Sequence, residues 1–580
     1  MSKANEAAGT ETEVRTHAWE FADAVAQTGC THVFGLMGDG NMHLFIALEA
    51  RGVRVVEVRH ESAAVAMAEG YGWCSGRIGI CSVTHGPGLS HVATSLLVAA
   101  RNRSPLVVIA AETPTGYQGA QTFDQASFVA SCEAVYRSMA PGESPADLLA
   151  EVIALAQAES RPVVLGVAAD LLTAPVTGRA ETGRMYRLRG AAPTVADDLA
   201  SAERLTRLLT EAARPVLIAG RGAMDGVAPD LMRMLADHFG AGLATTLPAK
   251  GLFDGHPLDL GIAGGLAHPA AERVLRAADL VVAIGASMGR STTQSTRLFA
   301  QTHVVKVVDD GPENGVSETD VPENVVPEPG KTETLRGDAT GTLKHAVSLT
   351  RAATGGTRRP WFAPVGPSAD CWLEDLRDFS PPVPDGTVDP RHAVAEISER
   401  IPEDANVVIS NGHCSGFAAA FVTVPARGRF FAAQGFGSIG QALTTAIGVA
   451  LGSPDRKTVV FEGDAALMMH VQELDTAARA GADLTVFVLN DQALGTEYQR
   501  LRKDGDDAEA AIVPSPDLAP LAAAFGARSS TIDTPDAHAL AEAALRPGLA
   551  VVDVRTARSV LSRHMRLPHT LPTTDGGARR

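Results

Sequence analysis

Apolar residues arrive along this chain in short β-branched bursts, each followed by a longer alanine- and leucine-rich stretch with helical spacing. In the first third the bursts are "THVFGL", "RVVEV", "IGICSV", "PLVVIA" and "PVVLGV". The middle third has "RPVLIAG", "AGLATTL", "LVVAIGA" and "HVVKVVD", and the last third "NVVISNG", "TVVFEGD", "LTVFVLN" and "LAVVDVR". Runs of this length and composition predict buried strands, and their alternation with helices is the βαβ pattern of parallel sheets covered on both faces. Two stretches break the rhythm. Residues 311–338 are acidic and contain "VPENVVPEPG", and residues 354–390 are rich in Gly and Pro and read as a linker. Three α/β domains, each a doubly wound parallel sheet, are therefore expected over about 15–185, 190–350 and 388–560. The first ~14 and last ~20 residues are polar and read as loose ends.

Length agrees with several domains, because 580 residues exceed what one hydrophobic core organises. The formal charge of −17 disfavours nucleic acid or an anionic membrane as the main partner. No run reaches the roughly 18 apolar residues that would span a bilayer. The N-terminal "MSKANEAAGTETEV" lacks the apolar stretch of a secretory signal. Six cysteines (Cys30, Cys74, Cys81, Cys132, Cys371 and Cys414) show no metal-type spacing and read as free thiols in a reducing compartment. A cytoplasmic protein is expected.

One element carries distinctive chemistry. "KTVVFEGD" is a strand ending in a tight turn, "ALMMHVQELDTAARAG" reads as one helix closed by Gly481, and "LTVFVLND" is the next strand. Strand–helix–strand in a parallel sheet brings both strand ends to one edge, so Asp464 and Asp491 are expected to face one another there. Two close carboxylates repel, and a hard cation such as Mg²⁺ or Ca²⁺ is their simplest partner. The helix start after Asp464 offers the N–H groups of Ala465 and Ala466 to phosphate oxygens. Taken alone, the element reads also as a helix cap at Asp464 and a turn residue at Asp491.

"GDA", 24 intervening residues and "ND" resemble the GDG…NN signature of thiamine diphosphate (ThDP) enzymes, with Ala465 for the usual Gly and Asp491 for the commoner Asn. "THVFGLMGDGNMHLFIAL", "VRHESAAVAMAEGYG" and "GICSVTHGPGLSHVATSLLVAARNRSPLVVIAAETP" resemble the pyrimidine-binding domain of acetolactate synthase-like members. "RPVLIAGRGA", "TTLPAKGLFDGHPLDLGIAGG" and "ADLVVAIGAS" resemble their central domain, and "GFGSIGQALTTAIGVALG" their diphosphate-binding domain. The likeness takes in nearly the whole chain, in order. It implies Mg²⁺ held by Asp464, Asp491 and the carbonyl of Ala493. It implies that Glu61 hydrogen-bonds the aminopyrimidine and favours its imino tautomer. Ile439 would wedge between the cofactor rings, the carbonyl of Gly437 would accept from the 4′-amino group, and Gly412 and His413 would approach the diphosphate. For His413 a plain loop role stays open.

Three further residues are candidates at the substrate. His85 in "THGPG" would relay protons, or be a satisfied turn histidine. Gln125 in "TFDQASF" resembles an active-site glutamine of carboligases. Glu497, six positions after Asp491, matches a catalytic glutamate of the pyruvate decarboxylase branch, or is a solvated helix residue. The paired histidines of that branch are not seen near Gln125. The resemblance thus implies an enzyme that decarboxylates a 2-oxo acid and transfers the resulting enamine to a second carbonyl. A simple decarboxylase releasing an aldehyde is the alternative, and a noncatalytic nucleotide-binding regulatory protein is the reading from another class. "IGASMGRSTTQS" lacks the segment associated with FAD in some synthases, which argues against FAD. Small-molecule partners and a homodimer or homotetramer with active sites at the interface are expected.

Overall fold

A computed structural model describes residues 15–176, 198–224, 226–308, 331–352, 356–365, 369–424, 428–535 and 538–566. The chain divides into two compact units, Met1–Gly190 and Ala191–Arg580. The loose ends expected at the termini, and most of the acidic stretch 311–338, lie outside the described residues.

The first unit holds one six-stranded sheet of β1 (His32–Gly35), β2 (Arg54–Glu57), β3 (Gly79–Val83), β4 (Leu106–Glu112), β5 (Val135–Ser138) and β6 (Val163–Ala168), in the order β2-β1-β3-β4-β6-β5. The second unit holds two more. β7 (Pro215–Ala219), β8 (Gly242–Thr245), β9 (Asp259–Ile262), β10 (Leu280–Ile284), β11 (His303–Val308) and β12 (Thr332–Arg336) run β12-β11-β10-β7-β8-β9. β13 (Asn406–Ile409), β14 (Phe430–Ala432), β15 (Thr458–Gly463), β16 (Leu484–Asn490), β17 (Arg528–Ile532) and β18 (Ala550–Arg555) run β14-β13-β15-β16-β18-β17. Neighbouring strands in all three sheets pair parallel. Both faces are covered, as alternate residues of β7 show: Leu217 and Ala219 enter one core, Val216 and Ile218 another. Three parallel α/β domains result.

The order of the third sheet matters for function. From β13 the chain moves outward to β14, then returns to place β15 on the other side of β13 and continues to β16. The C-terminal ends of β13 and β15 therefore flank a switch point, where loops diverge and leave a crevice.

Three expectations need correction. The strand reading missed β5, β9, β12, β14 and β17, each at a sheet edge. The single helix expected over residues 466–481 is two, Asp464–Met469 and Glu473–Ala480, broken at His470 with φ −135°. Residues 354–390 are not a free linker. Trp361 donates its indole N–H to the Pro215 carbonyl (3.1 Å), Trp372 is buried, and Asp375 is 2 % exposed against Arg563 and Arg566. All six cysteines are free thiols. Among the described residues no helix is long and apolar enough to cross a membrane.

The buried Asp375 makes a sharp test of this docking. Its removal leaves Arg563 and Arg566 without their shared carboxylate, and breaking a buried ion pair costs about 3 kcal/mol or more. Asp375→Ala is expected to lower the melting temperature and to expose residues 356–390 to limited proteolysis, whereas Glu374→Ala, which removes an exposed pair with Arg273, changes neither.

Candidate active site

The second unit contains a cavity of about 1510 Å³ at the switch point of the third sheet. Asn411, Gly412, His413, Gly437, Ile439, Asp464, Ala465, Ala466, Asp491, Ala493 and Glu497 all line it, so the predicted diphosphate and metal residues converge there. Register explains the meeting of the two aspartates. Gly463 pairs with Leu489, so Asp464 lies one residue past the end of β15 and Asp491 just past the end of β16, on one edge.

Asp464 opens its helix with Gly463 as the capping residue, and backbone N–H groups of Asp464 and Ala465 bond to its carboxyl. Ser515 also donates its hydroxyl to Asp464 Oδ2 at 2.6 Å. Burial, and after the Ser515 bond the charge of Asp491, act on the Asp464 carboxyl, and the net effect is to push it up to about 7. Asp491 accepts from the Ala493 N–H at 3.1 Å, and its backbone carbonyl accepts from Arg558. Gly495 keeps the approach open, since a Cβ there would sit 2.7 Å from Asp491 Oδ2.

Two helices begin at this cavity, Asp464–Met469 and His413–Phe421. Gly412 precedes the second at φ +94°, a backbone conformation that side chains with a Cβ rarely adopt. His413 is buried; its Nε2 accepts from the Ser562 N–H at 3.1 Å, which assigns the proton to Nδ1, 3.8 Å from Asp491. The Gly437 carbonyl already accepts from the Asn411 carboxamide and keeps one lone pair. Ile439 is half-buried on the cavity wall, and Glu497 is exposed on the helix Gly495–Asp504.

The first unit places the other predicted residues at the same end of its own sheet. Glu61 is buried at the start of the helix Glu61–Ser75, four residues after β2 ends, and its Oε2 lies 2.9 Å from His91 Nδ1. His85, two residues past β3, is buried with Nε2 2.9 Å from Gln121 Oε1. Gln125 is buried at the start of a short helix; its amide donates to the Ala111 carbonyl (3.1 Å) and accepts from Tyr136 (3.2 Å). Both ends of Gln125 are therefore engaged by its own unit.

The sequence reading missed Ser515, Asn411, Arg558 and His91. Asn411 adjoins Gly412 and was within reach. Ser515 and Arg558 come from distant loops, and only the folded edge brings them to the aspartates.

The donors suit the group the resemblance implies. Two carboxylates and a carbonyl are hard oxygen ligands, and one carboxylate is pushed toward neutrality by burial and, to a lesser degree, by the other. The comparisons agree. "Thiamine pyrophosphate enzyme, N-terminal TPP binding domain" matches residues 15–131, the central domain of the same enzymes residues 202–329, and their C-terminal TPP binding domain residues 410–554. Acetolactate synthase of Mycobacterium avium is 27 % identical over 525 residues, 87 % of this chain and 81 % of the relative. Sulfoacetaldehyde acetyltransferase of Alcaligenes xylosoxydans xylosoxydans is 27 % identical over 501 residues, 82 % and 81 %. A probable acetolactate synthase large subunit of Methanocaldococcus jannaschii is 25 % identical over 533 residues, 88 % and 87 %. The chain belongs to the thiamine diphosphate-dependent superfamily of acetolactate synthases and 2-oxo acid decarboxylases, and is a ThDP enzyme in that general sense.

The Asp464 carboxyl gives a pH signature that needs no ligand. In the native chain it holds its proton up to about 7, whereas unfolded it releases it near 3.8. The unfolded state thus binds fewer protons between those values, and this group's contribution to stability is lost as pH rises through them. At about 1.4 kcal/mol per pH unit it reaches about 4 kcal/mol. Melting temperatures of the cofactor-free chain between pH 4 and 8 are expected to fall less steeply in Asp464→Asn than in wild type.

Proposed function

We propose that this protein is a ThDP- and Mg²⁺-dependent carboligase that decarboxylates a 2-oxo acid and joins the remaining fragment to a second carbonyl. The observation that carries the reading is the Asp464–Asp491 pair at a switch-point cavity where two helices begin. Asp464, Asp491 and the Ala493 carbonyl would hold Mg²⁺; the N–H groups around Gly412, His413, Ala465 and Ala466 would take the diphosphate. Gly437 and Ile439 would hold the aminopyrimidine, and Glu61 would bond its ring nitrogen. When bound, ThDP would supply a nucleophilic carbon to add to the 2-oxo carbonyl and a cationic thiazolium ring to take up the electron pair left by departing CO₂. The chain orients the reactants, keeps water out of the cavity and, at Glu61, holds the proton shared with the cofactor ring.

Carboligation is preferred to simple decarboxylation because relatives along nearly the whole chain bear synthase and acetyltransferase names. Glu497 on the cavity wall is the observation that favours the decarboxylase alternative. Intact Glu61, Asp464 and Asp491 speak against a noncatalytic nucleotide-binding protein. The working form we propose is a cytoplasmic homodimer or homotetramer, with Glu61 of one subunit serving Asp464 and Ile439 of another.

Assaying CO₂, aldehyde and acetolactate from a panel of 2-oxo acids with ThDP and Mg²⁺ separates the readings. A condensed hydroxyketone or acetohydroxy acid is expected, and stoichiometric aldehyde with no condensed product would select the decarboxylase. Asp464→Ala is expected to weaken ThDP at least tenfold by calorimetry in the presence of Mg²⁺; unchanged affinity would reject the metal site. Mixing Glu61→Gln with Asp464→Ala is expected to restore activity after subunit exchange, because some mixed dimers then hold one intact site. No recovery despite proven exchange would rule out the shared arrangement.

A further inference from the structure

Glu61 is 8 % exposed, yet only one of its carboxyl oxygens has a hydrogen-bond partner among the described residues. Oε2 faces His91 Nδ1 at 2.9 Å. His91 follows the short helix Pro87–Ser90, and its half-exposed ring stacks on His60 with centroids 4.9 Å apart and planes inclined by 26°. His60 is itself fixed, because its Nδ1 accepts from the Ser62 N–H (3.2 Å) and lies 2.8 Å from the Ser62 hydroxyl.

The ligand atoms of His60, Glu61 and His91 lie within 4.8 Å of one another, a spacing that could suit a cation. The individual contacts argue for a hydrogen bond instead. Ligand atoms around a tetrahedral ion with bonds of about 2.0–2.1 Å stand roughly 3.3 Å apart. Glu61 and His91 are closer than that, at the distance of a charge-assisted N–H···O bond.

We propose that His91 is a positioning residue for Glu61. Its Nδ1–H donates to Oε2, fixes rotation of the carboxyl group, and leaves Oε1 as the oxygen free to meet a ligand. The stack on His60 holds the imidazole in the plane this bond requires. Both the neutral Nδ1–H tautomer and the imidazolium carry the donor, so the orientation survives a change in His91 charge. An untethered carboxyl would sample other rotamers, and a displacement near 1 Å at a reacting group costs on the order of 100-fold in rate. This inference rests on the reading that Glu61 acts on the cofactor ring, although the tether itself does not.

Two substitutions and one spectrum test it. His91→Phe keeps an aromatic ring over His60 and removes the donor. His91→Asn places its carboxamide nitrogen near the position of Nδ1 and restores the donor without a ring. With ThDP and Mg²⁺ bound, His91→Phe is expected to lower kcat about 10-fold or more, with KM and ThDP affinity within about threefold. His91→Asn is expected to recover most of the loss, and circular dichroism of the bound aminopyrimidine should follow kcat across the series. In the cofactor-free protein, ¹⁵N spectra of labelled histidine are expected to show His91 protonated at Nδ1, and to lose that preference in Glu61→Ala. Wild-type kcat in His91→Phe, an Asn variant no better than Phe, or a neutral His91 protonated at Nε2 would each overturn the tether. Full turnover in Glu61→Gln would overturn the underlying role of Glu61, and the ¹⁵N result would still report on the bond.

Discussion

Two carboxyl groups forced together at one edge of a parallel sheet are the constraint around which the third domain is organised. Asp464 and Asp491 cannot separate, because each follows directly from the end of one of two paired strands whose register is fixed over six residue pairs. Nor can they be diluted by solvent, since Asp464 is 1 % exposed. The surroundings soften the conflict without removing it. Ser515 donates to one carboxylate, the Ala493 N–H to the other, and Gly495 leaves room in front of Asp491. Burial, and after it the charge of Asp491, still keep the Asp464 carboxyl at about 7.

Such a pair holds its position only if the strands beside it cannot spread at the switch point, where the loops diverge. Glu462, the fifth residue of β15, supplies a brace. It is fully buried, accepts from the Ser410 hydroxyl at the end of β13 (3.2 Å), and accepts from the Leu443 N–H at the start of the helix Ala442–Gly452 (3.0 Å). One side chain thereby joins β15, the β13 loop and a helix N-terminus whose dipole favours negative charge. Burial raises the Glu462 carboxyl to about 7, against the opposing effect of these bonds. Its partners are all inside the domain, so it braces the cavity without lining it.

The central strands of all three domains were legible because strands buried on both faces must be written as continuous β-branched runs. Of the six edge strands only β2 was. β5 is half-buried throughout, β12 and β17 carry exposed polar positions, and β14 has three residues, so none produces such a run. The helix after Asp464 was over-extended for a related reason. Alanine, leucine and methionine propensity continues through "ALMMHVQEL", but the backbone breaks at His470, and Met468 and Met469 are not drawn into the core. Propensity is a weak prior that tertiary packing overrides. At the site, Asp464, Asp491 and Gly412 were readable because the chain places them directly after strands. His91 was not, since it meets Glu61 from 30 residues away by way of a short turn of helix.

Displaced titration alone would have pointed elsewhere. Burial pushes Lys250 down to about 8 and Asp259 up to about 7, and Asp254 is raised beside them. By that measure Asp259 is perturbed as strongly as Asp464. The geometry of this trio is that of structure, however. The Lys250 ammonium donates to the Ala419 carbonyl and lies 5.7 Å from the centre of the Phe430 ring, and Asp259 accepts from the Gly261 N–H, so each group is already answered by the chain. Lys250 ties the second domain to the third across packed surface. Asp464 differs in having open volume before it, a second carboxylate beside it and two helix starts at the same cavity. A shifted group marks chemistry when the protein leaves its electrostatic demand unmet and gives a ligand room to meet it.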